Sequence, residues 1–433
     1  MHSPIFPTAL KFYQWGWNLA IPLLYCHSRL KKGFVERTLR ERPPQADLWI
    51  QAASVGESYL SLELLTCLNP PEKLRVLITT NTSQGRGIIE KVRQNKEIEL
   101  KPNLILKTAY FPFDSPSIMD KALSAIRPEL VLLLESELWP GLLSICRRKG
   151  VKVLVVNGRM TRKSLKRYLI WPSFWENNRP DKILAMSEDD ARRFGELFGN
   201  EVVDTMSNIK FDRISAAGPL TGNVNPLAGL LPPESLFAVL GSVRQEEEKD
   251  IEQLIPELLA NKPEAIIGLF PRHMHRIKSW QKRLNKMSLD WSLRSLINKP
   301  VNSGKVILWD TMGELSPAYS LARAAFVGGS LAPVGGQNFL EPLICGIKPV
   351  IGPHWSNFHW IGRQIIDQGL VHEARNRREC SVFLLKGLGQ PLDREKNRKQ
   401  ALAYIESRKG GTAKAVDEIN SLLNSTNPES GVY

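Results

Sequence analysis

The stretch DLWIQAASVGES, residues 47–58, decides how the rest of the chain is read. Residues 47–53 form a short apolar run, and Ser54-Val55-Gly56-Glu57-Ser58 then brings a glycine turn and the start of a helix. An apolar run with little polar alternation is a strand buried on both faces, as in a parallel sheet with helices on either side. The same unit recurs at RVLITT (75–80), LILKTAYF (104–111), LVLLLE (130–135), VKVLVVN (151–157) and KILAM (182–186), with helical patterns between most of them. The uncharged segment AAGPLTGNVNPLAGLLPP (216–233) is rich in Gly, Pro and Asn and reads as a linker. The alternation restarts at LFAVLG (236–241), AIIGLF (265–270), KVILW (305–309), AAFVGG (324–329) and KPVIG (348–352).

The expectation is an α/β protein with two Rossmann-like domains, residues 46–215 and 234–433, the second including the terminal helices. An N-terminal segment, 1–45, precedes them. Ligands of doubly wound sheets bind beyond the carboxyl ends of the strands, so two such domains are expected to face a common cleft.

Composition narrows the partners. The 433 residues carry 58 Lys+Arg against 44 Asp+Glu, a net charge of +14, which calls for an anionic partner: nucleic acid, a membrane surface or a phosphorylated substrate. A 42% hydrophobic content excludes a disordered chain. Five scattered cysteines without C-x-x-C argue against a disulfide framework. Neither D-x-D nor H-E-x-x-H occurs, so the sequence offers no support for a metal centre.

The most apolar long stretch is IFPTALKFYQWGWNLAIPLLYC, residues 5–26, followed by six basic residues between Arg29 and Arg42. It lacks a basic n-region and a cleavage site, so it is not a signal peptide. Three readings compete: a membrane span broken by Lys11, Gln14 and Asn18, an amphipathic helix lying in the headgroup layer, and a terminal helix packed on the domain. Pro7 and Pro22 are expected to limit any helix. Nine basic residues and no acid lie between Arg147 and Trp175, beside Tyr168 and Trp171, which suits phosphates or an anionic membrane.

Chemistry-bearing residues gather where strands end. Glu57, in the first turn after the opening strand, can act as general base or merely complement the helix dipole. Glu135 and Glu137 in LESELWP (134–140) can position an acceptor sugar or stabilise developing positive charge, or can serve as helix-start carboxylates. Lys210 in NIKFD (208–212) suits a leaving phosphate, and equally a protein surface. In the second half, Phe270-Pro271-Arg272-His273 ends a strand, Met312-Gly313 offers apolar surface and backbone, and Gly328-Gly329 with Gly335-Gly336 precedes a helix start at Asn338–Glu341. A glycine turn before a helix is read as an anion cradle, its free N–H groups aimed at a phosphate.

These segments resemble the Kdo transferases, bacterial glycosyltransferases that move 3-deoxy-D-manno-octulosonic acid onto lipid A precursor. The resemblance runs from about residue 10 to 370 and keeps the order of eleven motifs, among them Ser54–Glu57, Phe111–Asp114, Glu135–Pro140, Asn208–Asp212, Pro271–His273, Asp310–Leu315, Gly328–Leu331 and Leu340–Pro342. It implies the GT-B fold, CMP-Kdo as donor, lipid A precursor as acceptor, no metal or cofactor, no nucleic acid, and a place on the anionic cytoplasmic face of the inner membrane. By position it implies Glu57 as proton acceptor, and Glu135 and Lys210 as residues stabilising the transition state. Pro271-Arg272, Met312-Gly313-Glu314 and Asn338-Phe339-Leu340-Glu341 fall on the CMP-binding segments. The expected chemistry is an inverting transfer, with Lys210, Arg272 and the helix start at Asn338 offsetting the departing phosphate. Gln51, Gly241–Arg244, Gln337 and Phe339 depart from the family pattern, which leaves a different CMP-activated sugar or acceptor as the alternative. An NAD-type oxidoreductase would need G-x-G-x-x-G after the first strand, where Ser-Val-Gly-Glu stands instead. A non-enzymatic nucleic-acid or membrane-binding protein would leave the strand-end carboxylates unexplained.

Overall fold

Alternate residues of the central strands enter different cores. Leu48 and Ile50 pack with Leu130, Leu132 and Leu134 in one layer, while Trp49 packs with Val131 and Leu133 in the other. Both faces are dry, which is why these strands read as unbroken apolar runs. Each such side chain contributes about 1.5–3 kcal/mol by leaving water.

The computed structural model describes residues 5–95, 101–214, 225–232 and 234–425. The chain forms two units, Met1–Ile214 with Arg408–Tyr433, and Ser215–Ser407. In the first, the strands are β1 (Leu48–Gln51), β2 (Leu74–Thr80), β3 (Leu104–Tyr110), β4 (Leu130–Leu134), β5 (Lys152–Gly158), β6 (Lys182–Ala185) and β7 (Val203–Thr205). Among the described residues they form one sheet ordered β3-β2-β1-β4-β5-β6-β7, every neighbour parallel. In the second unit, β8 (Phe237–Val243), β9 (Ile266–Pro271), β10 (Trp291–Leu293), β11 (Val306–Leu308), β12 (Ala324–Val327), β13 (Val350–Ile351) and β14 (His372–Glu373) form a parallel sheet ordered β10-β11-β9-β8-β12-β13-β14. Each unit therefore reverses strand order beside its first strand, which is the doubly wound arrangement. β7, β10 and β14 go beyond the sequence reading. They are two or three residues long and half-buried, too short to carry a pattern.

The division of the chain needs two corrections. The helix Gly411–Asn424, expected with the second domain, belongs to the first unit: Ala415, Val416 and Ile419 enter the core layer of β1 and β4. Asp212 anchors its start, accepting from Gly410 N at 2.7 Å and from Thr412 N and Oγ1 at 2.6 Å each. Most of the expected linker lies outside the described residues, and Asn225–Pro232 is packed chain of the second unit. Asn225 is buried and donates to Pro317 O and Ser320 Oγ.

At the N-terminus a helix runs Ile5–Leu24, through both prolines. Pro7 falls in the first turn, where its missing N–H would have had no intrahelical acceptor, and Pro22 falls in the last turn. One face docks on the first unit: Tyr13 donates to Asp114 Oδ2 at 2.8 Å, Gln14 Oε1 accepts from Ser117 N at 2.8 Å, and Trp17 packs on Phe113. The opposite face exposes Phe12, Trp15, Leu19 and Leu23, one stripe at helical spacing. Among the described residues no helix is long and apolar enough to cross a membrane.

Candidate active site

In the first unit the helix Val55–Cys67 begins at Ser54, whose Oγ accepts from Glu57 N at 3.3 Å. The carboxylate of Glu57 folds back over this helix start and is itself held twice. Ala53 N donates to Oε2 and Ser54 Oγ to Oε1, both at 2.8 Å. Glu57 is buried. Burial, then the negative charge of Glu137, pushes its carboxyl up to about 7; the Ser54 and Ala53 donors work against this, and Glu135 adds to it. A carboxyl balanced near neutrality has the proton affinity that general-base work needs. The turn itself does not demand Gly56: an added Cβ would meet nothing nearer than Ser54 Oγ at 3.8 Å.

Glu135, just after β4, takes a left-handed backbone (φ 54°), and its N–H donates to Val156 O. That conformation costs a non-glycine residue roughly 1–2 kcal/mol and turns the side chain out of the strand direction. Its Oε1 lies 2.7 Å from Lys210 Nζ. Lys210 is placed by Asn208, whose side chain caps the short helix Ile209–Asp212, and by Asn157 Oδ1, which accepts from Ile209 N. The structure thus brings Lys210 onto Glu135, where the sequence reading gave it a leaving phosphate. Glu137 joins them; Trp139 Nε1 donates to its Oε2 at 2.8 Å, and burial raises its carboxyl as well. Three carboxylates and one ammonium therefore gather beyond the carboxyl ends of β1, β4 and β5. The E-x-E spacing after an apolar strand singles out Glu137 with Glu135 but gives it no separate catalytic role; the structure places it against Glu57.

In the second unit Pro271 ends β9 and Arg272 follows, exposed, with Nε donating to Gln337 Oε1 at 3.2 Å. Asn338 donates to Glu341 Oε1 at 2.9 Å and its Oδ1 accepts from Leu340 N, so residues 338–341 form a closed turn into the helix Leu340–Ile344. Burial raises the Glu341 carboxyl, with Asn338 and the charge of Arg272 opposing. Phe339 is fully buried and packs on Trp355 and Phe358, so it is a core residue rather than a ligand surface. Met312 is 77% exposed, next to Gly313 at φ 83°. Glu314 is held by Trp309 Nε1, Thr311 Oγ1 and Arg294 Nη2, and Trp309 stacks on Phe270 beside Pro271. These segments share the carboxyl ends of β9, β11 and β12.

The glycine cradle needs correcting. Its first half is filled from within: the buried carboxylate of Glu247 accepts from Gly329 N at 2.6 Å and from Ser330 N and Leu331 N at 3.3 Å each. Gly336 N is spent on Gly329 O. An added Cβ at Gly328 would come within 2.5 Å of Glu247 Oε1, so the glycine pair seats an internal carboxylate. The outward cations at this rim are Arg272 and Arg244, whose Nη1 lies 3.4 Å from His273 Nε2. His273 stacks on His275, and among the described residues no group of three or more His, Cys, Asp or Glu could hold a metal ion.

Residues 28–213 match the family model described as 3-deoxy-D-manno-octulosonic-acid transferase (kdotransferase). The 3-deoxy-D-manno-octulosonic acid transferase of Rickettsia typhi is 30% identical over 372 residues, covering 84% of this chain and 76% of that protein. The chain belongs to the 3-deoxy-D-manno-octulosonic acid (Kdo) transferase family. The enzyme of the same name from Bordetella pertussis is 29% identical over 393 residues, 88% of either chain. Among solved structures, the UDP-GlcNAc 2-epimerase of Neisseria meningitidis bound to UDP-GlcNAc shares the fold, with a TM-score of 0.52 at 14% identity, covering 87% of this chain and 99% of that one. This Kdo transferase family member is a glycosyltransferase of two parallel-sheet α/β units. Arg244 and Gln337, expected from the sequence to differ from the family pattern, sit together around Arg272; an added Cβ at Gly329 would touch both at 3.3 Å.

Proposed function

We propose that this transferase moves Kdo from CMP-Kdo to lipid A precursor in one inverting displacement, without a metal, as a GT-B enzyme. The observation that carries the reading is the near-neutral, buried Glu57 beside Glu137 and the Lys210–Glu135 pair. Glu57 takes the proton of the acceptor hydroxyl as its oxygen bonds the anomeric carbon and the bond to CMP breaks. The Glu135 carboxylate favours oxocarbenium-like charge, and Lys210 holds that carboxylate in place. Arg272 and the turn at Asn338 receive the nucleotide phosphate. Incubation with CMP-Kdo and tetraacylated precursor is expected to add one or more Kdo masses to the lipid, and no mass gain would sink the assignment. The second reading, another CMP-activated nonulosonic-type sugar, draws on Arg244 and Gln337 beside Arg272. The same assay run with that donor separates the two.

The proposed setting is the cytoplasmic face of the inner membrane. Two features support it: the exposed stripe Phe12, Trp15, Leu19 and Leu23, and the helix Arg162–Tyr168, which exposes Arg162, Lys163, Lys166 and Arg167 next to Ile170 at 81% exposure. Aromatic side chains beside cations suit the headgroup layer. Flotation with anionic vesicles is expected to fall about tenfold in Phe12→Ser/Trp15→Ser, a modest fraction of the apolar burial such a stripe supplies. High salt is expected to weaken binding without abolishing it. Flotation unchanged by the double substitution would remove this helix from the membrane contact.

A further inference from the structure

At the amino ends of β12, β13 and β14 the second unit holds a cavity of about 370 Å³. The segments assigned to the donor leave the opposite, carboxyl ends of this sheet, so the cavity belongs to a different part of the unit. Its cations come from separate elements. Lys348 stands just before β13, His372 opens β14, Lys386 projects from the helix Arg377–Gly389 and Lys396 from the helix Arg394–Glu406. Asp393 is the acid in the lining, and its Oδ1 is already occupied by Lys396 N at 3.0 Å. One wall is a flat slab, the His372 ring stacked on Phe383 at 4.8 Å and 9°.

Convergence sets this place apart: three lysines from separate elements line one hollow. Several cations of the unit are paired with acids: Arg276 with Glu248, Arg294 with Glu314, Arg363 with Glu373. Arg323 at the cavity edge is likewise paired, with Glu234. Among the described residues Lys348, Lys386 and Lys396 have no ion pair within 4.0 Å, although all three line one concavity. Burial, then the charges of Lys348 and Lys386, holds the imidazolium form of His372 down, so both ammonium groups act on the same wall. Like charges gathered in a hollow repel one another, and a bound dianion is the partner that offsets this.

We propose that this cavity is a second anion site, taking a compact phosphate-bearing ligand from solution, bridged by Lys348, Lys386 and Lys396 with the His372–Phe383 slab as its floor. The site is independent of the donor and acceptor assignments. Its size suits pyrophosphate or a small phosphate ester.

The test is calorimetric titration of the full chain with inorganic pyrophosphate at physiological salt. One saturable site is expected, weakened at least tenfold by Lys348→Ala/Lys386→Ala and restored in part by Lys348→Arg/Lys386→Arg. CMP added beforehand is expected to leave the pyrophosphate isotherm unchanged. Displacement by CMP, with no effect of the alanines, would place pyrophosphate in the donor segments and overturn the proposal. A non-saturating isotherm that vanishes with salt would reduce the cavity to diffuse charge and overturn it equally. Loss of binding to anionic vesicles in the alanine variant, without pyrophosphate binding in the parent, would make it a lipid headgroup surface instead. The three lysines are half-buried or exposed, so thermal melts of the variants are expected to match the parent and exclude misfolding.

Discussion

Glu57→Gln is expected to lower turnover by about 10²–10⁴, the range that general-base assistance supplies. The amide keeps the shape and the oxygen that accepts from Ala53 or Ser54, so the helix start survives. What it loses is the ability to take a proton. Glu57→Ala is expected to lose as much and also to strip two hydrogen bonds from the turn. Binding of CMP, which the reading places in the second unit, is expected to survive both substitutions. Near-normal turnover in Glu57→Gln would remove this residue from its role.

The pH dependence follows with a definite sign. The base works deprotonated, and burial with Glu137 pushes the Glu57 carboxyl up to about 7. kcat/KM is therefore expected to rise through neutrality on the acid side, from roughly a tenth of its plateau at pH 6 to roughly nine tenths at pH 8. Glu137→Gln removes the largest neighbouring charge while its amide oxygen still accepts from Trp139 Nε1. The limb is expected to move to lower pH, because less negative charge faces the ionised base. A limb that stays in place would mean that burial alone sets the Glu57 carboxyl.

Much of this was legible because the signals were local. Fully buried parallel strands announce themselves as apolar runs, and eleven of the fourteen strands among the described residues fall on such runs. Glu57, Glu135 and Lys210 could be named because each follows a strand end or turn. What stayed hidden was non-local. Nothing in the polar run Gln245–Glu248 marks Glu247 as the carboxylate that fills the Gly329–Leu331 amides, so the glycine turn looked open. Nothing in residues 411–424 says that their apolar stripe packs beside β1, more than 350 positions earlier. Phe339 follows a glycine turn, where a ligand is a fair expectation, but its ring fills the core behind that turn.

The largest stability effect is expected at Asp114, buried in the FPFD motif. Its carboxylate accepts from Gly141 N at 2.8 Å and Leu142 N at 2.7 Å, the first amides of the helix Pro140–Lys149, and from the Tyr13 hydroxyl at 2.8 Å. Gly141 permits this approach, since an added Cβ would meet Asp114 O at 2.3 Å. Asp114→Ala leaves three donors without their acceptor. An orphaned buried donor costs about 1–3 kcal/mol, so a loss of about 3 kcal/mol is a conservative expectation. For a unit of this size that lowers the thermal midpoint by roughly 6–12 °C. Tyr13→Phe, which removes one of the three hydrogen bonds and keeps the ring, is expected to cost about 1 kcal/mol. The same helix start is preceded by Trp139, which packs on Phe111 and donates to Glu137. Loosening it therefore reaches the acid cluster, and kcat is expected to fall further in Asp114→Ala than in Tyr13→Phe. A melt of Asp114→Ala within about 2 °C of the parent, less than a single kcal/mol produces, would mean that water replaces the carboxylate and that Gln14 with the aromatic contacts is enough to hold the N-terminal helix.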